Sequence, residues 1–141
     1  MFFSFHASIG ALIGCAAYSF GLNPFLAYSL SLFSHLAIDS IQESPDAYDS
    51  TAEILILDVI GMPSLLLIAS LFSDAMPYLI LCILFAVLPD IIDKMRVYAF
   101  KKKQIFPCHK PSWKIVALLT RETTFVANIL AFCLAFTLIT L

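Results

Sequence analysis

Five apolar runs, each close to the length of a membrane-crossing helix, follow one another along a chain of 141 residues and leave little sequence for anything else. A hydrocarbon core of about 30 Å is crossed by about 20 mostly apolar residues in helical form. Lipid offers no partner to a backbone N–H or C=O, so runs of this length predict helices that satisfy their own hydrogen bonds. The runs cover approximately residues 2–20, 24–41, 51–72, 76–93 and 123–141. The expected fold class is an all-α integral membrane protein, a bundle of about five transmembrane helices in one polytopic domain over residues 1–141. The composition agrees: 61% of residues are hydrophobic, 13% are charged, and the mean hydropathy of +0.95 lies far above that of an ordinary soluble domain.

The breaks between runs carry turn and cap chemistry. Gly21, Asn23 and Pro24 punctuate the first break. Gln42 to Asp49 form an acidic loop, and Ser50 with Glu53 three residues on reads as a capping box for the third helix. Ser73 to Pro77 offer a cap followed by a proline suited to a first helical turn, which predicts a very short loop before the fourth span. Pro111 to Leu119 contain an interfacial tryptophan, Trp113, beside lysines.

Charge sets the expected orientation. All eight Lys and Arg residues lie between positions 94 and 121, which predicts a cytoplasmic segment there. By alternation the N-terminus and the loop 42–49 are cytoplasmic too, and the C-terminus is outside; a re-entrant last run would move only the C-terminus. The expected location is the inner (plasma) membrane, multi-pass. The first residues, Met1 to His6, lack the positive charge that opens a removable signal peptide, so the first run reads as a retained helix despite the lipoprotein-like Leu12 to Cys15. Cys15, Cys82, Cys108 and Cys133 show no redox or zinc-knuckle spacing.

Under this orientation His6, His35, Asp39, Asp58, Asp90 and Asp93 fall at the cytoplasmic ends of four different helices. His35 and Asp39 are spaced i, i+4, so both side chains can address one ion. Glu43 extends that stripe. Asp90 and Asp93, at i, i+3, form a second two-ligand face just after Pro89, which disturbs the helix and can free a backbone carbonyl toward the site. Gly10, Gly14 and Ala17 share a stripe with His6 and allow close helix approach. An intramembrane aspartate is costly and takes a partner. Several aspartates together repel one another unless protonated, and a bound cation removes that conflict. Mixed imidazole and carboxylate donors suit zinc, manganese or iron, as one or two ions. Alternative readings stay open for each residue: interfacial His6, solvated Asp90 and Asp93 beside Lys94 and Arg96, and a His35 hydrogen-bonded to Asp39. Asp58, the deepest, reads as an orienting residue, a general base or a partner of the imidazoles, while His109 beside Cys108 reads as loop surface.

The motifs Phe5 to Gly10, Ser34 to Asp39 and Leu88 to Asp93 together resemble those of the predicted membrane-bound metal-dependent hydrolases, the YdjM-like inner-membrane family. That family carries His-x-x-x-Gly, Pro-Asp-x-Asp and His-x-x-x-Asp elements, in that order, at helix ends. The resemblance implies His6, His35, Asp39, Asp90 and Asp93 as metal ligands and hydrolysis of a phosphoester or lipid-like substrate. This chain departs from it in lacking the His-Arg-x-x-Thr-His-Ser motif, in an extra residue within the Pro-Asp element, and in the order of the last two elements.

The function expected is thus a membrane-embedded metal-dependent hydrolase acting at the cytoplasmic face, with Asp58 or Glu43 as catalytic base. The alternatives are a proton- or cation-coupled transporter or channel component, and a structural subunit of a membrane complex. A conduit needs polar residues through the bilayer, and the outer halves of the spans offer few. Expected partners are membrane lipid and an anionic or phosphorylated substrate, with no nucleic acid. Lys94 and Arg96 serve either that anion or the topology alone.

Overall fold

The computed structural model describes residues 3–43, 55–72, 75–106, 116–119 and 121–140. Five α-helices account for most of them: α1 (Phe3–Ser19), α2 (Pro24–Asp39), α3 (Met62–Phe72), α4 (Met76–Tyr98) and α5 (Arg121–Thr140). The capping box at Ser50 and Glu53, Ser73 and Asp74, Trp113 and the Cys108–His109 pair lie outside the described residues.

The α1–α2 break follows from local chemistry. Gly21 takes φ +61°, and the N–H groups of Leu22 and Gly21 donate to Ala17 O (2.8 Å) and Tyr18 O (3.1 Å), which closes α1 in a Schellman motif. Asn23 then caps α2 by accepting from Phe25 N at 2.9 Å, with Pro24 opening the helix. The third run differs from expectation. It is a π-helical stretch, Leu55–Gly61, leading into the 11-residue α3. Pro63 cannot donate to a carbonyl one turn back, and the wider upstream turns accommodate it.

Helix α4 also departs from expectation. It does not end near Asp93 but continues to Tyr98 despite the internal Pro89, so Lys94 and Arg96 stand on a helix instead of in a loop. The sequence from Lys94 to Tyr98 contains no breaker. The stop comes at Lys101, in the left-handed region at φ 52°, with Phe100 N donating to Met95 O (3.3 Å) and Lys102 N to Arg96 O (2.8 Å). A short parallel pair, β1 (Ile41–Glu43) and β2 (Val116–Leu119), is a further difference; Ile41 faces Val116 and Glu43 faces Leu119, with a register shift between the two pairs.

Helix α4 packs against α1, α2 and α3, while α5 packs against α1 and α3. Glycine makes the α1–α4 contact close. A Cβ on Gly10 would stand 2.6 Å from Cys82 O and 2.8 Å from Ala86 Cβ, and one on Gly14 would stand 3.1 Å from Leu79 Cα. Ala7, Ala11, Leu65, Ala69, Leu79, Ile83, Val87, Ala135 and Ile139 form the main core, and Ala17, Ala27 and Cys82 a second cluster.

Two helices are long and apolar enough to cross a membrane: Met76–Tyr98 and Thr123–Thr140, each with mean hydropathy 1.9. Asp58–Leu71 is a shorter apolar stretch, and α1 and α2 have 17 and 16 residues. The outer surface of the helices is strongly apolar. Phe25 is 79% exposed and Leu130 65%, and Phe33, Leu67, Leu71 and Leu134 are exposed as well.

Candidate metal centre

Each helix around the site repeats a four-residue spacing, which stacks side chains along one face. On α1 the face carries His6, Gly10 and Gly14; on α2, Ala27, Ser31, His35 and Asp39; on α4, Cys82, Ala86 and Asp90. The small residues draw the backbones together, and the last layer of that close approach is where His6, His35, Asp39 and Asp90 meet.

Both imidazoles are fully buried, at 0% exposure. His6 Nε2 stands 3.2 Å from Asp39 Oδ1, and His35 Nε2 stands 3.1 Å from Asp39 Oδ2. Asp90 Oδ1 lies 4.0 Å from His35 Nε2, and its carboxylate is the more accessible of the two at 14% side-chain exposure. The rings of His6 and His35 stack with centroids 4.1 Å apart. His6, His35 and Asp90 each offer a donor atom within 4.8 Å of the other two.

Hydrogen bonding separates the two histidines. His35 Nδ1 lies 2.7 Å from Ala86 O. A carbonyl only accepts, so Nδ1 carries the proton it donates and Nε2 faces the carboxylates. A bare Nε2 lone pair 3.1 Å from a carboxylate oxygen is repulsive unless a proton or a cation lies between them. A backbone carbonyl holding the far nitrogen is also the arrangement that orients metal-bound histidines. His6 is different: Nδ1 has no hydrogen-bond partner among the described residues, and Nε2 faces Asp39 Oδ1 at 3.2 Å outside good hydrogen-bond geometry. A buried polar group normally has such a bond, because going without one costs about 1–3 kcal/mol.

The spacings suit a cation. With metal–nitrogen distances of about 2.0–2.1 Å, neighbouring ligand atoms stand about 2.8–3.0 Å apart in octahedral sites and about 3.3–3.4 Å in tetrahedral ones, a span that also includes ordinary hydrogen-bond lengths. The two His–Asp39 distances fall in that range, and the Asp90 approach of 4.0 Å is wider. Two imidazoles with two carboxylates form a donor set suited to zinc, manganese or iron.

The other expected site residues are placed elsewhere. Asp93, expected beside Asp90 as a ligand, is 1% exposed and accepts from Ile105 N (2.8 Å) and Phe106 N (3.1 Å). The i, i+3 offset divides the pair: Asp90 meets His35, and Asp93 holds the chain returning past the end of α4. Asp58 accepts from Ser4 N at 3.0 Å and so caps the first turn of α1, two residues from His6. Glu43 lies in β1, and its side chain is outside the described residues.

One polar seam escapes sequence reasoning. Ser4 Oγ donates to Asn128 Oδ1 (3.4 Å), Asn128 Nδ2 to Thr124 O (2.7 Å) and Ser8 Oγ to Ser4 O (2.7 Å), all buried between α1 and α5. The signal was available, since an amide in an apolar helix seeks a neighbouring helix. The carbonyl of Ala86 as the partner of His35 is also invisible in sequence, although Pro89 marks that turn as irregular. Comparison of the chain with known protein families, characterised proteins and solved structures finds no match.

Proposed function

We propose that this chain is a multi-pass protein of the inner membrane that holds a divalent cation between α1, α2 and α4 and hydrolyses a phosphoester-type bond in an anionic or lipid-like substrate. The membrane reading is supported by two helices long and apolar enough to cross and by large apolar side chains exposed on several helices of the bundle. Helices α1, α2 and the apolar 58–71 stretch then complete the spans beside α4 and α5.

The single observation that carries the metal reading is His6: a fully buried imidazole without a directed hydrogen bond, stacked on an imidazole whose far nitrogen is already fixed, with both Nε2 atoms at one carboxylate. A divalent cation bound there supplies Lewis acidity toward a phosphoryl group and activates water. The chain's own residues do the rest. Ala86 O holds His35 in one tautomer, Asp39 aligns both imidazoles, and Asp90, the more accessible carboxylate, faces the side from which substrate and water enter. Asp58 acts as a positioning residue, since its bond to Ser4 N holds the turn of α1 that carries His6.

Proton relay is the second reading, favoured by Asp39 bridging the two imidazoles. One turn along from the site, Gly10 packs closely against Cys82 O and Ala86 Cβ, and the buried Ser31 hydroxyl and Cys82 thiol are the polar groups that follow, which offers a proton only a short continuation.

Elemental analysis of the detergent-purified protein, prepared without chelator, separates the readings. The expected result is near-stoichiometric zinc, manganese or iron, lost in Asp90→Asn, with loaded protein cleaving a chromogenic phosphoester. Metal-free wild-type protein that also binds no added zinc or manganese would sink the metal reading; metal without turnover would sink hydrolysis alone.

A further inference from the structure

The end of α4 carries a second charged feature, separate in chemistry from the metal centre. Lys101, Lys102 and Lys103, with Val97 and Gln104, line an open hollow of about 780 Å³. All three lysines are exposed, and none is paired with a carboxylate among the described residues. Three like charges on consecutive residues repel one another, and an unstructured segment would spread them apart.

This segment is instead held. Lys101 adopts the left-handed conformation at φ 52°, uncommon for a side chain with a Cβ. Lys102 N donates to Arg96 O at 2.8 Å, and Arg96 Nε donates to Lys103 O at 3.2 Å. Two residues further on, the buried Asp93 carboxylate takes the successive amides of Ile105 and Phe106. A buried acid is thus spent on fixing a cationic turn.

We propose that the Lys101–Lys103 turn is a preformed binding site for a phosphate-bearing anion, supplied by an anionic lipid headgroup at the membrane surface. The lipid source rests on the membrane reading above, because the turn follows directly on a membrane-length apolar helix and so stands at headgroup depth. Ammonium groups suit this ligand as point charges, and the held backbone keeps all three lysines on one hollow before it arrives. The site needs neither the metal nor hydrolysis.

The test is retention of lipid by the detergent-purified protein, read by native mass spectrometry and by titration with phosphatidylglycerol, phosphatidylcholine or inorganic phosphate. Phosphatidylglycerol is expected to bind well above phosphatidylcholine. The triple variant K101Q/K102Q/K103Q, all at exposed positions, should weaken it by roughly 100-fold, at about fivefold per lysine near an anionic surface. Asp93→Asn discriminates further. If only net charge mattered, removing an acid would strengthen anion binding; a preformed turn predicts weaker binding with all three lysines present. Equal retention of phosphatidylcholine, or unchanged phosphatidylglycerol binding in the triple variant, overturns the proposal. Inorganic phosphate competing at equal concentration assigns the site to the free anion and overturns the lipid source. His35→Ala, which removes a proposed metal ligand, should keep its lipid, so failure of one reading does not carry the other.

Discussion

The two ends of the α1–α2–α4 packing are built from the same helices and settle their polar groups in opposite ways. At the turn end, polar groups are partnered singly: Asn23 caps Phe25, and Tyr78 Oη donates to Leu22 O at 2.9 Å. Aromatic rings fill the remaining space, with Tyr28 stacked on Phe85 at 5.5 Å and Tyr18 edge-on to Tyr78 at 5.9 Å. At the histidine end, two buried imidazoles converge on shared carboxylates and one of them lacks a directed bond. The fold is therefore able to match polar groups one to one. At the histidine end the groups instead share partners, two imidazoles on one carboxylate, which is the arrangement the metal proposal builds on.

The comparison breaks most completely at His35 and Asp39. Replacing either with alanine is expected to lower metal affinity by more than about 100-fold, because ligand loss exceeds the 10–100-fold effect of outer partners. Membrane insertion should stay intact, and elemental analysis with a fractionation assay checks both. Metal retained in either variant would put the two ends on the same footing.

Gly10→Val tests whether close packing creates the site. Its first side-chain atom would meet Cys82 O at 2.6 Å, so α1 and α4 must separate. Overpacking costs about 1–3 kcal/mol, and a lower thermal midpoint should come with lost metal. Asp58→Ala is smaller, about 1 kcal/mol for a lost cap, with weaker metal binding that Asp58→Asn largely restores. Tyr78→Phe is the smallest, about 1 kcal/mol or less; it should lower stability and leave metal content unchanged, which confines the two chemistries to their own ends.

Legibility in the sequence followed the range of the interactions. The α1–α2 boundary was readable because Gly21, Asn23 and Pro24 act within a few residues. His35 and Asp39 were readable because i, i+4 spacing has a fixed geometric meaning, and the Gly10–Gly14 stripe told of close approach. The fate of Asp93 was not, since its partners lie 12 and 13 positions away through a segment without periodicity. Asp58 stands out in sequence as the deepest carboxylate, but its service to Ser4 depends on a contact spanning 54 positions. The β1–β2 pairing joins strands too short to carry an alternation pattern.

The close approach of α1 and α4 at Gly10 also bears on how the protein is made. A chain emerging from the ribosome delivers His6 first, then His35 and Asp39, and Asp90 only after α3 has been laid down. A chain that has not yet delivered α4 therefore lacks Asp90, and the cation proposed here would find its full donor set only when the first helix meets the fourth. If the proposed cation binds there, its binding free energy goes into clasping together the first and fourth helices, which the chain delivers far apart in time.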